Sequence, residues 1–184
     1  MFPLRTSWWL EGPGHVGLKY LAWGIWVGVL AVAIAPVGRW RPWRREAAHA
    51  ALGIALAAAA VILLRNASAH SCPWDLATYG GKAAWFPLFG APPADAGPGR
   101  CLPAAHAASG FALFGLYFAL RRSRPRAARL ALAAALVIGV VAGAVQAARG
   151  AHFVSHILWT AWIAYGVNLA LERLLAPRAA TAGP

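Results

Sequence analysis

Residues that could carry chemistry cluster near the ends of long apolar stretches in this chain of 184 residues. They are Arg65, Asp75, Arg100, His106, Arg149, His152 and His156. Polar side chains near membrane depth are costly and usually face a cavity or one another. Cationic groups outnumber the carboxylate in this set, and arginine holds phosphate with a bidentate fork. The set therefore predicts a site for an anion, and phosphate fits it best.

His152 and His156 are also four residues apart, which makes their side chains neighbours on a helix. This is a common spacing of metal ligands, and His106 or Asp75 could complete a zinc site. The same histidines could serve as axial ligands of haem. A metal-binding or haem-binding membrane protein is therefore an alternative hypothesis.

Both cysteines, Cys72 and Cys101, lie in one long segment between apolar stretches. In an oxidising compartment we expect them to form a disulfide, and two free thiols are the alternative. The bridge would close a loop of about 30 residues and stabilise the fold by about 3 to 4 kcal/mol in the chain-entropy model. It would also hold Pro73 near Pro103.

Five apolar stretches supply the elements that must position these residues. They cover 18–37, 47–64, 106–120, 127–147 and 153–171. A helix needs about 20 apolar residues to cross a bilayer, so the stretches predict an all-α, polytopic membrane bundle with about five transmembrane helices. Within the first stretch, Ala33-Ile34-Ala35 resembles the cleavage site of a signal peptide. Pro36 follows directly and should block cleavage, so we expect a retained helix.

Positive charges are distributed unequally between the two sides of this bundle. The links 38–46 and 121–129, with the C-terminal tail, carry eleven of the seventeen Lys and Arg residues, and the other side carries six. The positive-inside rule places the eleven in the cytoplasm. The expected organisation is a single membrane domain over 1–184, with an interfacial segment at 1–17, a periplasmic loop at 65–105 and a cytoplasmic tail at 172–184.

The net charge of +12 does not indicate a nucleic-acid partner. Only 12% of the residues are charged and 60% are hydrophobic, which leaves too little polar surface for a soluble DNA-binding domain. We instead expect the lipid bilayer as the partner. The predicted location is a bacterial inner membrane, crossed several times, with the polar site facing the periplasm.

The polar residues follow the order of three known motifs. Arg65-x6-Cys72-Pro73 is similar to Lys-x6-Arg-Pro, with Arg for Lys and Cys for Arg. The stretch Pro103-Ala-Ala-His106 is similar to Pro-Ser-Gly-His, with alanine in both central positions. These are called the first and second motifs below.

A third motif follows near residue 150. The run Gly150-Ala-His152-Phe-Val-Ser-His156 is similar to the end of Ser-Arg-x5-His-x3-Asp, with His156 at the position of Asp. Together the three motifs resemble those of the type 2 phosphatidic acid phosphatases, also called lipid phosphate phosphatases, over roughly residues 65 to 160.

Departures from the third motif have candidate replacements nearby. The family arginine would fall at Gln146, and Arg149 lies three residues later, about 60° around a continuous helix. Arg149 could therefore supply the guanidinium. His156 could orient His152 in place of the missing Asp, and Asp75 is a second candidate for that carboxylate.

The resemblance implies a two-step displacement at phosphorus through a phosphohistidine. His152 would attack the phosphate, and His106 would protonate the leaving alkoxide and then activate water. Arg65, Arg149 and Arg100 would hold the phosphoryl oxygens. No metal or other cofactor is required.

A lipid phosphate phosphatase acting on a phosphomonoester or a pyrophosphate is thus the expected function. Compatible substrates include phosphatidic acid, phosphatidylglycerol phosphate, a polyprenyl pyrophosphate and a lipid A phosphate. A lipid-to-lipid phosphotransferase and a non-catalytic lipid-binding relative are alternatives. The family usually has six membrane helices, and the one without a counterpart here would precede Met1.

Overall fold

The computed structural model describes residues 2–175, and that part of the chain is helical with no strand. Its helices are α1 (Leu18–Ile34), α2 (Arg44–Ala67), α3 (Ala108–Phe111), α4 (Phe114–Leu120), α5 (Pro125–Ala148) and α6 (Val154–Leu175). A π-helical segment, Leu10–Gly17, runs directly into α1. Short 3-10 turns cover Gly38–Trp43, Pro73–Asp75 and Ala77–Tyr79.

Four helical stretches of the described chain are long and apolar enough to cross a membrane. They are Leu10–Ile34, Gly38–Ala67, Pro125–Ala148 and Val154–Leu175. This finding confirms the predicted all-helical, polytopic membrane bundle. The stretch expected at 106–120 is shorter in the structure, at Ala108–Leu120, and is divided between α3 and α4.

Helix α2 lies at the centre of the bundle and packs against α1, α4 and α6. Its inward face is made of small residues, and Ala50 and Ala57 are 1% and 0% exposed. Small residues let helices approach closely in lipid, where dispersion contacts and not water exclusion hold helices together. Helix α1 has no buried residue and therefore lies at the outside of the bundle.

Helices α3, α5 and α6 meet through glycines. Gly110 of α3 lies against the backbone of Gly139 of α5, so closely that a Cβ atom at Gly110 would overlap it. Gly143 lies one turn further along α5 and packs against Ile157 of α6. These contacts fix the last turns of α5, and with them the turn that joins α5 to α6.

The end of the bundle with the arginine-rich links contains an ion pair in which the carboxylate is buried and the arginines are partly exposed. Glu172 of α6 is 4% exposed, and Arg121 Nε donates a hydrogen bond to its carboxylate at 2.7 Å. Arg121 Nη2 donates to the other carboxylate oxygen, and Arg122 Nε donates a third hydrogen bond at 3.2 Å. Glu172 belongs to α6, which continues to Leu175. The rest of the predicted tail, 176–184, lies outside the described residues.

Residues 68–107 form a long loop at the opposite end, called the motif loop below. The second half of the loop returns along the first: the backbone N–H of Arg100 donates to Ser68 O at 2.7 Å, and that of Cys101 donates to His70 O at 3.0 Å. This return places Cys101 beside Cys72, and their sulfur atoms are bonded to each other.

Candidate functional site

The site is built where the motif loop meets residues 149–153, called the motif turn below. Helix α5 ends at Ala148, and Gly150 then adopts a φ of 76°. Such a left-handed conformation suits glycine because it has no Cβ. The chain reverses at this glycine, so His152 faces back toward the motif loop. The backbone N–H of Trp74 donates to Gly150 O at 3.0 Å and joins the first motif to the turn.

The disulfide lies directly against His152. Cys101 Sγ is 3.4 Å from His152 Nδ1 and 2.9 Å from the carbonyl oxygen of Ala151. The bond between Cys72 and Cys101 joins the first motif to the segment before the second motif. The same disulfide contacts the third-motif histidine, His152. With Nδ1 facing the sulfur, Nε2 is the ring nitrogen left for chemistry.

His152 is 9% exposed, and this burial governs its protonation. The pKa of His152 is lowered to about 3, chiefly by burial and in addition by the nearby groups His156, Arg65 and His106. The backbone of Cys101 acts in the opposite direction. The imidazole is therefore neutral at neutral pH and keeps a lone pair, which a nucleophile requires.

His106 precedes α3, and its ring is stacked on the ring of His15 with centroids 3.5 Å apart. Its Nε2 is buried and has no hydrogen-bond partner in the described part of the chain. The pKa of His106 is lowered to about 4, chiefly by burial and in addition by the neighbouring His15 and Lys19. His106 thus has a ring nitrogen left unpaired among the described residues, and an anion bound beside it would favour its protonated form.

Arg149 is 8% exposed and follows the last residue of α5. Its Nε donates to Arg5 O at 3.1 Å, its Nη1 lies 3.2 Å from His15 Nδ1, and its Nη2 lies 3.7 Å from a carboxylate oxygen of Glu11. Gln146 Nε2 reaches the same His15 nitrogen at 2.5 Å. The side chains of Gln146 and Arg149 therefore both reach Nδ1 of His15.

Arg65 and His156 complete the group around His152. Arg65 lies in the last turn of α2, is partly buried, and acts on the pKa of His152. The ring centroid of His156 is 5.8 Å from that of His152, and its Nδ1 is buried with no hydrogen-bond partner among residues 2–175. His156 also lines a cavity of 250 Å³ between the motif loop and α6, together with His70, Leu102, Phe153 and Trp159.

Asp75 and Arg100 are placed apart from this group. The carboxylate of Asp75 accepts a hydrogen bond from Trp74 Nε1 at 3.1 Å and lines a different cavity, beside Lys82 and Asp95. No hydrogen bond joins Asp75 to a histidine in the part of the chain that the structure describes. Arg100 has a φ of 57° and an exposed side chain. The structure thus gives neither residue a contact that supports the role expected from the sequence.

His15 is the site residue that sequence reasoning missed. It belongs to the π-helical segment Leu10–Gly17, well before the first motif, and its partners Gln146 and Arg149 are 131 and 134 residues away. Its only sequence signal is a histidine on the same predicted side of the membrane as the motifs.

Metal ligation fits this arrangement poorly. Potential ligand atoms of Cys72, Cys101 and His152 lie within 4.8 Å of one another. However, zinc binds thiolates, and both sulfur atoms are occupied by the disulfide bond. Among the described residues, the groups whose potential ligand atoms lie within 4.8 Å of one another do not include the zinc set expected from the sequence, His152 and His156 with His106 or Asp75.

Comparison with known proteins gives one result. The sequence model described as the PAP2 superfamily matches residues 46–178, which include all three motifs. No curated protein and no solved structure matches the chain significantly.

Proposed function

Since the chain belongs to the PAP2 superfamily, we propose that it is a lipid phosphate phosphatase that works through a phosphohistidine on His152. The observation that carries the proposal is the state of His152. It is a buried, neutral histidine at the junction of the three motifs, with Arg65 and His106 close enough to shift its pKa. A neutral nucleophile among cations suits attack on an anionic phosphate.

In the first step Nε2 of His152 attacks phosphorus. A phosphorus–nitrogen bond forms, and the bond between phosphorus and the lipid oxygen breaks. His106 donates its proton to the leaving alkoxide. The pKa of His106 is about 4 in the empty site, and a bound dianionic phosphate raises it because opposite charge favours the protonated ring. The substrate therefore brings the acid into its working state.

In the second step water attacks the phosphorus of the phosphohistidine. Neutral His106 accepts a proton from the water, the phosphorus–nitrogen bond breaks, and inorganic phosphate leaves. Arg65 and Arg149 offset the charge that develops on the phosphoryl oxygens in both steps. The sum of the steps is one ester and one water converted to one lipid alcohol and one phosphate.

His152 lacks the carboxylate that usually stabilises a charged catalytic imidazole. His156 stands at the position of that carboxylate, with ring centroids 5.8 Å apart, and the Cys101 sulfur faces Nδ1. Neither group carries a negative charge. We therefore expect slower phosphoryl transfer than a carboxylate would permit, and a substrate with a good leaving group to be favoured.

The lipid chain has an apolar route to the site. The 250 Å³ cavity beside His156 is lined by Leu102, Phe153 and Trp159. The motif loop next to it carries Trp85 and Phe89, which are 64% and 90% exposed. Exposed aromatic residues favour the membrane interface. We place the acyl or prenyl chain in this cavity, with the site at the outer face of a bacterial inner membrane, as the arginine distribution indicates.

Phosphate release tests this function directly. The purified protein is assayed with phosphatidic acid, phosphatidylglycerol phosphate, a polyprenyl pyrophosphate and a lipid A phosphate. We expect release from at least one lipid by the wild type and none by His152→Ala. His49→Gln, on the half of α2 far from the motifs, is the matched control and should retain activity. Equal release by the wild type and His152→Ala contradicts the proposal.

Chelation separates the metal alternative from the histidine mechanism. Treatment with a chelator should leave phosphate release unchanged, because every step above uses side chains alone. Activity that a chelator removes and zinc restores would support the metal hypothesis in its place.

A further inference from the structure

The N-terminal segment before α1 forms one wall of the site, although it lies outside the region that matches the family, 46–178. The ring of Phe2 covers Gly150 of the motif turn. The guanidinium of Arg5 lies 4.4 Å above the ring of Trp74. Gly14 packs against Val145 of α5, so closely that a Cβ atom at position 14 would lie 3.0 Å from a valine methyl. These contacts dock the segment on the third and first motifs.

His15 is the point at which this wall meets the proposed catalytic groups. Its ring covers one face of His106, with centroids 3.5 Å apart. Its Nδ1 lies 3.2 Å from Arg149 Nη1. One side chain therefore contacts both the proposed acid and a proposed phosphate-binding arginine.

The contact with Arg149 fixes the protonation of His15. A guanidinium group has only donors, so Nδ1 of His15 must accept the hydrogen bond and carry no proton. Gln146 Nε2 lies 2.5 Å from the same nitrogen. His15 is thus a neutral acceptor that anchors one N–H of Arg149. Arg5 O anchors a second one at 3.1 Å, and together they set the plane of the guanidinium.

We propose that His15 is a positioning residue, which holds the Arg149 fork and the His106 ring in the geometry that phosphoryl transfer needs. This inference rests on the proposed function. A bidentate arginine is useful only if its plane is fixed, and an acid must point at the leaving oxygen. His15 meets both needs through two separable contacts, one by hydrogen bonding and one by ring stacking.

Two substitutions separate the contacts. His15→Phe keeps a ring over His106 and removes the acceptor for Arg149, so vanadate, which mimics the phosphorus in transfer, should bind more weakly. His15→Asn keeps an acceptor and removes the ring. It should lower kcat more for a phosphomonoester than for a pyrophosphate, because the alkoxide that leaves from a monoester needs protonation more than the phosphate that leaves from a pyrophosphate. His15→Ala should lose both, on the order of 100-fold in kcat/KM.

Val16→Ala is the matched control, since Val16 lies beside His15 and is 41% exposed. It should behave as the wild type. A purely structural role for His15 would lower the thermal stability of all three variants without the split between vanadate binding and leaving-group dependence. Wild-type kinetics in all three variants overturn the inference. If His152→Ala remains inactive at the same time, the proposed function stands.

A measurement on the unmodified protein covers the case in which the variants do not fold. Diethyl pyrocarbonate modifies accessible imidazole nitrogens, and mass spectrometry reports the modified residue. His15 should react at least tenfold more slowly in the folded protein than in protein unfolded in sodium dodecyl sulfate, on the order expected for a stacked and hydrogen-bonded ring. Equal rates in both states contradict the inference.

Discussion

The sulfur atom of Cys101 lies 3.4 Å from Nδ1 of His152, and the same sulfur is bonded to Cys72. A covalent bridge is therefore in contact with the histidine to which the mechanism assigns the attack. The bridge closes the motif loop and also presses the loop against the motif turn. Its loss should consequently affect both folding and chemistry.

Reduction tests this relationship. Dithiothreitol, or the double substitution Cys72→Ser with Cys101→Ser, should lower the free energy of unfolding by about 3 to 4 kcal/mol. It should also lower turnover while the protein is still folded. Alkylation should add mass only after reduction. Two thiols that alkylate freely in protein prepared without reductant contradict the disulfide.

Acid should destabilise the fold through His152. The pKa of His152 is about 3 in the folded protein and 6.5 in an unfolded chain, so between these values only the unfolded chain binds the proton. The stabilisation is complete above pH 6.5 and declines by up to about 1.4 kcal/mol per pH unit below it. The unfolding midpoint should fall with acidification less steeply for His152→Gln than for the wild type. Parallel curves contradict the shift.

Arginine geometry should matter at Arg149 and not at Arg100. Arg149→Lys keeps the charge but loses the fork, and should lower kcat/KM about 10- to 100-fold. Arg100→Lys should stay within about twofold of the wild type because its side chain is exposed. Steady-state kinetics on a single lipid phosphate decide the matter. A costly Arg100→Lys would return that residue to the phosphate site.

Substitutions at His156 and Asp75 test which of the two residues orients His152. His156→Ala should lower kcat about tenfold, because an imidazole next to His152 is removed. Asp75→Asn should have little effect on kcat, because the Asp75 carboxylate is engaged by Trp74. The same assay reports both variants. A reversed order would assign the orientation of His152 to Asp75.

The helices could be predicted because the length of an apolar run is a local signal. The runs 127–147 and 153–171 correspond to α5 (Pro125–Ala148) and α6 (Val154–Leu175). The run 106–120 is the shortest of the five, and its helix is divided between α3 and α4 in the structure. Glycine spacing alone does not predict helix packing. Gly139 and Gly143 of α5 are four residues apart and pack against other helices, whereas Gly24 and Gly28 of α1 have the same spacing and no described residue within 4 Å of the Cβ position.

The site could be predicted only where motifs order the residues along the chain. The structure brings His106 and His156 close to His152, and Arg149 lies near enough to His106 to act on its pKa, whereas Asp75 is held by its neighbour Trp74. His15 could not be found, because its contacts depend on how the N-terminal segment packs on α5. Nothing at the level of spacing encodes that packing.

Phosphorylation of His152 is the step on which the proposed mechanism depends, and rapid quenching with a labelled lipid phosphate measures it directly. The wild type should carry acid-labile phosphate, and His152→Ala should carry none because the attacking nitrogen is gone. His106→Ala should still form the phosphoenzyme slowly from a pyrophosphate, whose leaving group needs less protonation. Wild-type turnover by His152→Ala, or turnover by the wild type with no labelled protein at any quench time, would contradict the account.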